Sequence, residues 1–161
     1  MTRRYARAPR GERVRGKVPR NRGENTTLLA SMSAEGMGPC LAVVGSTTKE
    51  VFEAYVERVL APSLKPGQVV VMDNLGAHKG ERVMELVQAR GCELLFLPAY
   101  SPDFAPIEEA FSKIKALLRR AAARTREALV EAMGRALAAV TARDARGWFA
   151  HCGYTIGAQR P

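Results

Sequence analysis

The stretch Gln68-Val69-Val70-Val71-Met72-Asp73-Asn74-Leu75-Gly76-Ala77-His78-Lys79 decides how this chain is read. Val69 to Met72 is an unbroken apolar run, mostly β-branched and too short for a helix, and it suits a strand buried on both faces. The run stops on Asp73, and a carboxylate at the end of an apolar strand is costly unless something positive meets it. A divalent cation meets that need, and so does an Arg or Lys partner.

The segments on either side fall into units around this strand. Lys79 to Arg90 reads as a helix with Val83, Leu86 and Val87 inward, stopped by Gly91, and residues 92–97 read as a second buried strand ended by Pro98. Pro106 opens a helix at its first turn, where a missing amide does no harm, with Ile107, Ala110, Phe111, Ile114 and Leu118 as its stripe. Thr125 caps a further helix with Leu129, Met133, Leu137 and Val140 inward, and Trp148 and Phe149 dock the tail that runs from Thr141 to Pro161. Upstream, Thr47 begins a Thr-Thr-Lys-Glu capping box in which Glu50 reaches back. Val51, Phe52, Tyr55, Val56, Val59 and Leu60 then recur at helical spacing until Pro62 and Pro66. Residues 26–33 and 39–45 read as a hairpin whose turn holds Gly36 and Gly38. A hairpin followed by alternating units is an α/β mixed sheet flanked by helices, with function at strand ends and in the loops after them.

With 161 residues, 47% hydrophobic and 25% charged, the chain fits one globular domain and excludes a disordered tail. No run is apolar enough for a membrane span, and no apolar stretch follows the basic N-terminus as in a secretory signal. Cys40, Cys92 and Cys152 are odd in number and far apart, which points to a reducing, cytoplasmic setting. The net charge of +9 is concentrated in residues 1–22, where nine basic residues face Glu12 alone. Arg7, Arg10, Arg13, Arg15, Lys17, Arg20 and Arg22 of this arm are candidate phosphate contacts, because each phosphate neutralised releases counterions. A merely solvated arm is the alternative.

Glu108 lies in the first turn of the helix opened by Pro106, where the helix N-terminus favours its charge by roughly 0.3–1 kcal/mol. Its neighbour Glu109 is expected to point further toward solvent. Thirty-four residues separate Asp73 from Glu108.

Asp73-Asn74, followed three residues later by His78-Lys79, and Leu97-Pro-Ala-Tyr-Ser-Pro-Asp-Phe-Ala-Pro-Ile-Glu108 stand in the order and at the distance of two long motifs. Here the chain resembles the DDE transposases of the mariner-like superfamily, in their bacterial insertion-sequence branch, over roughly residues 1–150. Ala105 stands where the family has Asn, and Phe111 where it commonly has Trp. The resemblance implies a ribonuclease H-like fold and two Mg²⁺ ions held by three carboxylates. One ion activates water or a 3′-hydroxyl and the other stabilises the leaving oxygen. Asp73 would be the second acid and Glu108 the third, with His78 and Lys79 near the site and in contact with DNA phosphate. The partner would be DNA, as transposon ends and target.

The family's first aspartate lies on a strand upstream of the region matching Arg3-Arg4-Tyr5, yet the chain's aspartates are Asp73, Asp103 and Asp144. The first strand is therefore expected to be missing, and because it is interior to the sheet its neighbours would carry unpaired edges. Gene decay, a start upstream of Met1 and frameshifting all fit. The expectation is a basic arm over 1–25, a partial catalytic domain over 26–150 and a tail over 151–161. Such a piece would be inactive alone in the Mg-dependent DNA cleavage and strand transfer of the intact enzyme. A second chain or upstream segment would supply the first acid, and relatives that act as dimers make a homodimer a further expectation. The competing readings are a non-catalytic DNA-binding remnant and a resolvase-like nuclease of the same fold.

Overall fold

The computed structural model describes residues 7–13, 15 and 24–155. Strands β1 (Thr26–Ser33) and β2 (Gly36–Val44) form an antiparallel hairpin that pairs Thr26 with Val44 and Ser33 with Gly36. The turn is Ala34-Glu35, tighter than expected. Gly36 opens β2 at φ +125, where an L side chain would be strained, and Gly38 lies inside the strand.

Helix α1 (Lys49–Tyr55) runs on through a π turn (Val56–Leu60) and a 3₁₀ turn (Ala61–Ser63). Its cap is Thr48, not Thr47. Thr48 is extended, accepts from Val51 N at 3.4 Å through its hydroxyl, and takes the Phe52 amide on its carbonyl at 3.0 Å. Phe52 and Tyr55 lie in the core, as their helical spacing implied.

Strands β3 (Val69–Met72) and β4 (Glu93–Phe96) pair in parallel, Val69 with Glu93 and Met72 with Phe96, and helix α2 (Glu81–Gln88) crosses between them. Three helices follow: α3 (Pro106–Ala121), α4 (Arg126–Ala138, capped by Thr125) and α5 (Ala142–His151). Thr141 and Asp144 form a capping box at the start of α5, and Lys113 of α3 reaches both Asp144 Oδ2 at 2.7 Å and the Ala139 carbonyl at 2.8 Å. One ammonium thus joins all three helices.

Two apolar clusters hold these elements. Phe52, Tyr55, Val56, Leu60, Met72, Val83 and Val87 form the first, with Leu29, Leu41 and Val70 against it. Ile114, Leu118, Ala132, Met133, Ala136 and Val140 form the second, with Leu28, Met37 and Trp148 against it. Leu28 and Leu29 are adjacent on β1 and therefore face opposite ways, so the hairpin is the wall between the clusters.

The β3–β4 pair is covered on one face only. Val70, Met72, Leu94 and Phe96 pack inward, whereas Val69, Val71 and Leu95 are 49%, 41% and 53% exposed. The expectation of strands buried on both faces fails because α4 and α5 pack on β2 rather than on this pair. Among the described residues the strands form two separate two-stranded sheets, β1–β2 and β3–β4. No described helix is long and apolar enough to cross a membrane.

The Lys113 ammonium, followed by the Thr141 amide and hydroxyl, holds the Asp144 carboxyl well below its usual range. A depressed folded value means the stabilisation is present above the unfolded value near 3.9 and is lost as pH falls below it. Thermal melts should therefore show wild type above Asp144→Ala at pH 7, with the gap narrowing progressively below about pH 4.

Candidate active site

Asp73 is the first residue after β3. The Leu97 amide donates to the Met72 carbonyl at 2.8 Å, which carries the ladder one step beyond β4. Asp73 and Pro98 therefore leave the sheet side by side at its carboxyl end, where open α/β sheets place their sites.

A 3₁₀ turn, Gly76–His78, brings the chain back, and His78 Nδ1 meets Asp73 Oδ1, which also accepts from the Leu75 amide at 3.3 Å. The imidazole stacks on Phe52, with ring centroids 4.0 Å apart and planes at 29°, and only 17% of the side chain is exposed. Phe52 is itself a core residue. A continuous line of contact therefore runs from the core through two rings to the carboxylate. The side chain that meets the carboxylate is this histidine, not the Arg or Lys that the sequence also left open. Lys79 beside it is exposed. Among the described residues no hydrogen bond engages the second Asp73 oxygen.

Glu108 sits in the first turn of α3, its amide donating to the Ala105 carbonyl at 2.9 Å, and it is exposed. It lines an open cleft of about 380 Å³ together with Asp103, Glu109, Ser112, His151 and Cys152. Glu109 is the more covered of the two glutamates, which reverses the expectation. The end of α5 lies along this side of α3, and His151 Nδ1 meets Glu109 there. Burial first, then the Glu109 and Asp103 charges, push the Cys152 thiol up, which makes it a poor nucleophile.

Asp73 does not line this cleft, and among the described residues no three His, Cys, Asp or Glu side chains are grouped to hold a metal ion. The loop from Leu97 to Ala105 links the strand end at Asp73 to the helix start at Glu108. Of the arm, Arg7, Arg10, Arg13 and Arg15 are exposed, while Lys17, Arg20 and Arg22 lie outside the described residues. The sequence reading set Glu109 aside as solvent-facing and did not single out Asp103, His151 or Cys152 as site residues. His151 and Glu109 stand 42 positions apart, and only the packing of α5 on α3 reveals them as neighbours.

The described structure thus carries an acid directly after a parallel strand and another at the start of its long helix. The chain belongs to the DDE superfamily endonuclease family, whose sequence profile matches residues 1–130. It is 28% identical over 101 residues to the transposable element Tcb1 transposase of Caenorhabditis briggsae, a match covering 60% of this chain and 37% of that protein. It shares the fold of a pre-cleavage Mos1 transpososome (TM-score 0.75, 18% identity, 94% of this chain and 48% of that one). The Mos1 strand transfer complex matches at TM-score 0.72, again at 18% identity over 94% of this chain and 47% of that one. A Mos1 mariner paired-end complex with Mn matches at 0.64 and 17% identity, over 94% and 48% of the two chains. The architecture is thus the mixed α/β, ribonuclease H-like one that the resemblance implied. The chain spans less than half the length of each of these relatives.

Phe52 is both core and platform, and the two roles separate by substitution. Phe52→Ala should cost about 3–5 kcal/mol in urea titrations. Phe52→Leu should stay within about 1.5 kcal/mol of wild type yet free the His78 ring, seen as averaged imidazole NMR signals.

Proposed function

We propose that this chain is part of the catalytic domain of a DDE transposase, acting in the cytoplasm on DNA at transposon ends and target. The observation that carries the reading is the position of Asp73 directly after β3 and of Glu108 in the first turn of α3, in a fold shared with Mos1. His78, stacked on Phe52, lies against one Asp73 oxygen and so positions the carboxylate, which leaves the other oxygen for a ligand. Lys79 and the exposed Arg7, Arg10, Arg13 and Arg15 would meet DNA phosphate.

The donor set suits a hard cation. Carboxylate oxygens are the ligands Mg²⁺ takes, and it keeps several waters. Asp73 and Glu108 would hold it, but they are two acids where such a site uses three. Bound metal would supply an activated water or 3′-hydroxyl and stabilise the leaving oxygen. The third acid would arrive on an extended segment, from upstream or from a second chain, that pairs between β1 and β3. Both strands pack on the same apolar cluster without pairing to each other, which supports that location. The chain by itself is then inactive and binds DNA through charge.

The isolated chain should bind duplex DNA with an affinity that falls linearly in log salt, with a smaller slope after Arg7, Arg10, Arg13 and Arg15 are replaced by Ala. Mg²⁺-dependent nicking should be absent and should appear when an upstream strand bearing an aspartate is joined on. Robust nicking by the unextended chain, abolished by Asp73→Ala, would refute its inactivity. DNA binding with no nicking even after extension would favour the non-catalytic remnant.

A further inference from the structure

Tyr100 combines two properties that rarely occur together. Its backbone is left-handed at φ +58, which is unfavourable for a bulky L residue, and its side chain is fully exposed, at 102% of its reference area. The strain is therefore repaid by no packing of the ring. The surrounding loop enforces it. Pro98 and Pro102 flank the turn, the Phe104 amide donates to the Ser101 carbonyl at 3.2 Å, and Tyr154 from beyond α5 donates to the Phe104 carbonyl at 2.7 Å. Strain that the scaffold imposes without local gain is a mark of functional sites.

The position gives the ring a task. The loop begins beside Asp73, through the Leu97–Met72 hydrogen bond, and ends at the helix bearing Glu108. Leu75, after β3, and Phe104, within the loop, are also exposed. The loop has Asp73 at one end and Asp103 and Glu108 at the other, so its exposed apolar groups suit an uncharged partner face better than an anionic one. The face of an unpaired nucleobase meets that description, and every base offers one.

Resting on the transposase reading above, we propose that Tyr100 is a stacking platform for a nucleobase unpaired beside the scissile phosphate, making it a DNA-positioning residue. The test is equilibrium binding of the full chain, at one salt concentration, to a blunt duplex and to the same duplex with three unpaired thymines at one end. Wild type should prefer the frayed DNA. Tyr100→Ala should bind it about five- to a hundredfold more weakly while keeping blunt-duplex affinity within about twofold, and Tyr100→Phe should keep the preference. Tyr100→Gly should lose the preference as Ala does and yet melt higher than wild type, because glycine relieves the left-handed strain. Equal binding of both DNAs by wild type, or an unchanged preference in Tyr100→Ala, overturns this inference and leaves the transposase reading standing. Failure of wild type to bind either DNA overturns both.

Discussion

The hairpin's alternation is the constraint on which the rest of the molecule depends. Leu28 and Leu29 point to opposite faces of β1, and each anchors a different cluster. A one-residue slip would exchange the two sets and leave both cores without their wall. The Thr27 hydroxyl, donating to the Gly45 carbonyl at 2.6 Å, closes the open end, and Gly36 closes the other. Helices α1 and α2 are thereby assigned to one side and α3 to α5 to the other. The distribution of functional groups follows from that assignment.

Asp73 owes its place to the parallel pairing of β3 and β4, which brings the ends of both strands, and the loops after them, to the same edge. Its orientation comes from elsewhere. Phe52 belongs to α1, a different element, and reaches His78 only because the first cluster draws α1 over the sheet. The carboxylate is thus coupled to the core by stacked rings, a stiffer support than a surface ion pair, which is screened and costs side-chain entropy. The cleft at Glu108 depends equally on the second cluster, since α5 must lie along α3 for His151 to meet Glu109.

Legibility in the sequence followed the range of the physics. Helix starts at Pro106 and Thr125 were readable because capping is decided within four residues. The strands at Val69 and Glu93 were readable from short apolar runs. The choice of Thr48 over Thr47 was not, because adjacent threonines both satisfy the local rule. Glu109 was misjudged for a related reason: helical phase relative to Ile107 is local, but the partner that covers Glu109 comes from α5. The double burial of β3 was misjudged most instructively. Val69 and Val71 are composed as if for a covered face that the described residues do not cover.

That mismatch and the divided sheet are one feature. Val69, Val71 and Leu95 are about half exposed, so the open face forgoes about half of the roughly 1.5–3 kcal/mol that full burial of each would provide. An extended segment pairing between β1 and β3 would satisfy backbone groups along both edges and carry its own side chains onto the open face. The acid it brought would reach the site only when the sheet closed. On the reading proposed above, completing the sheet and completing the site would then be the same event.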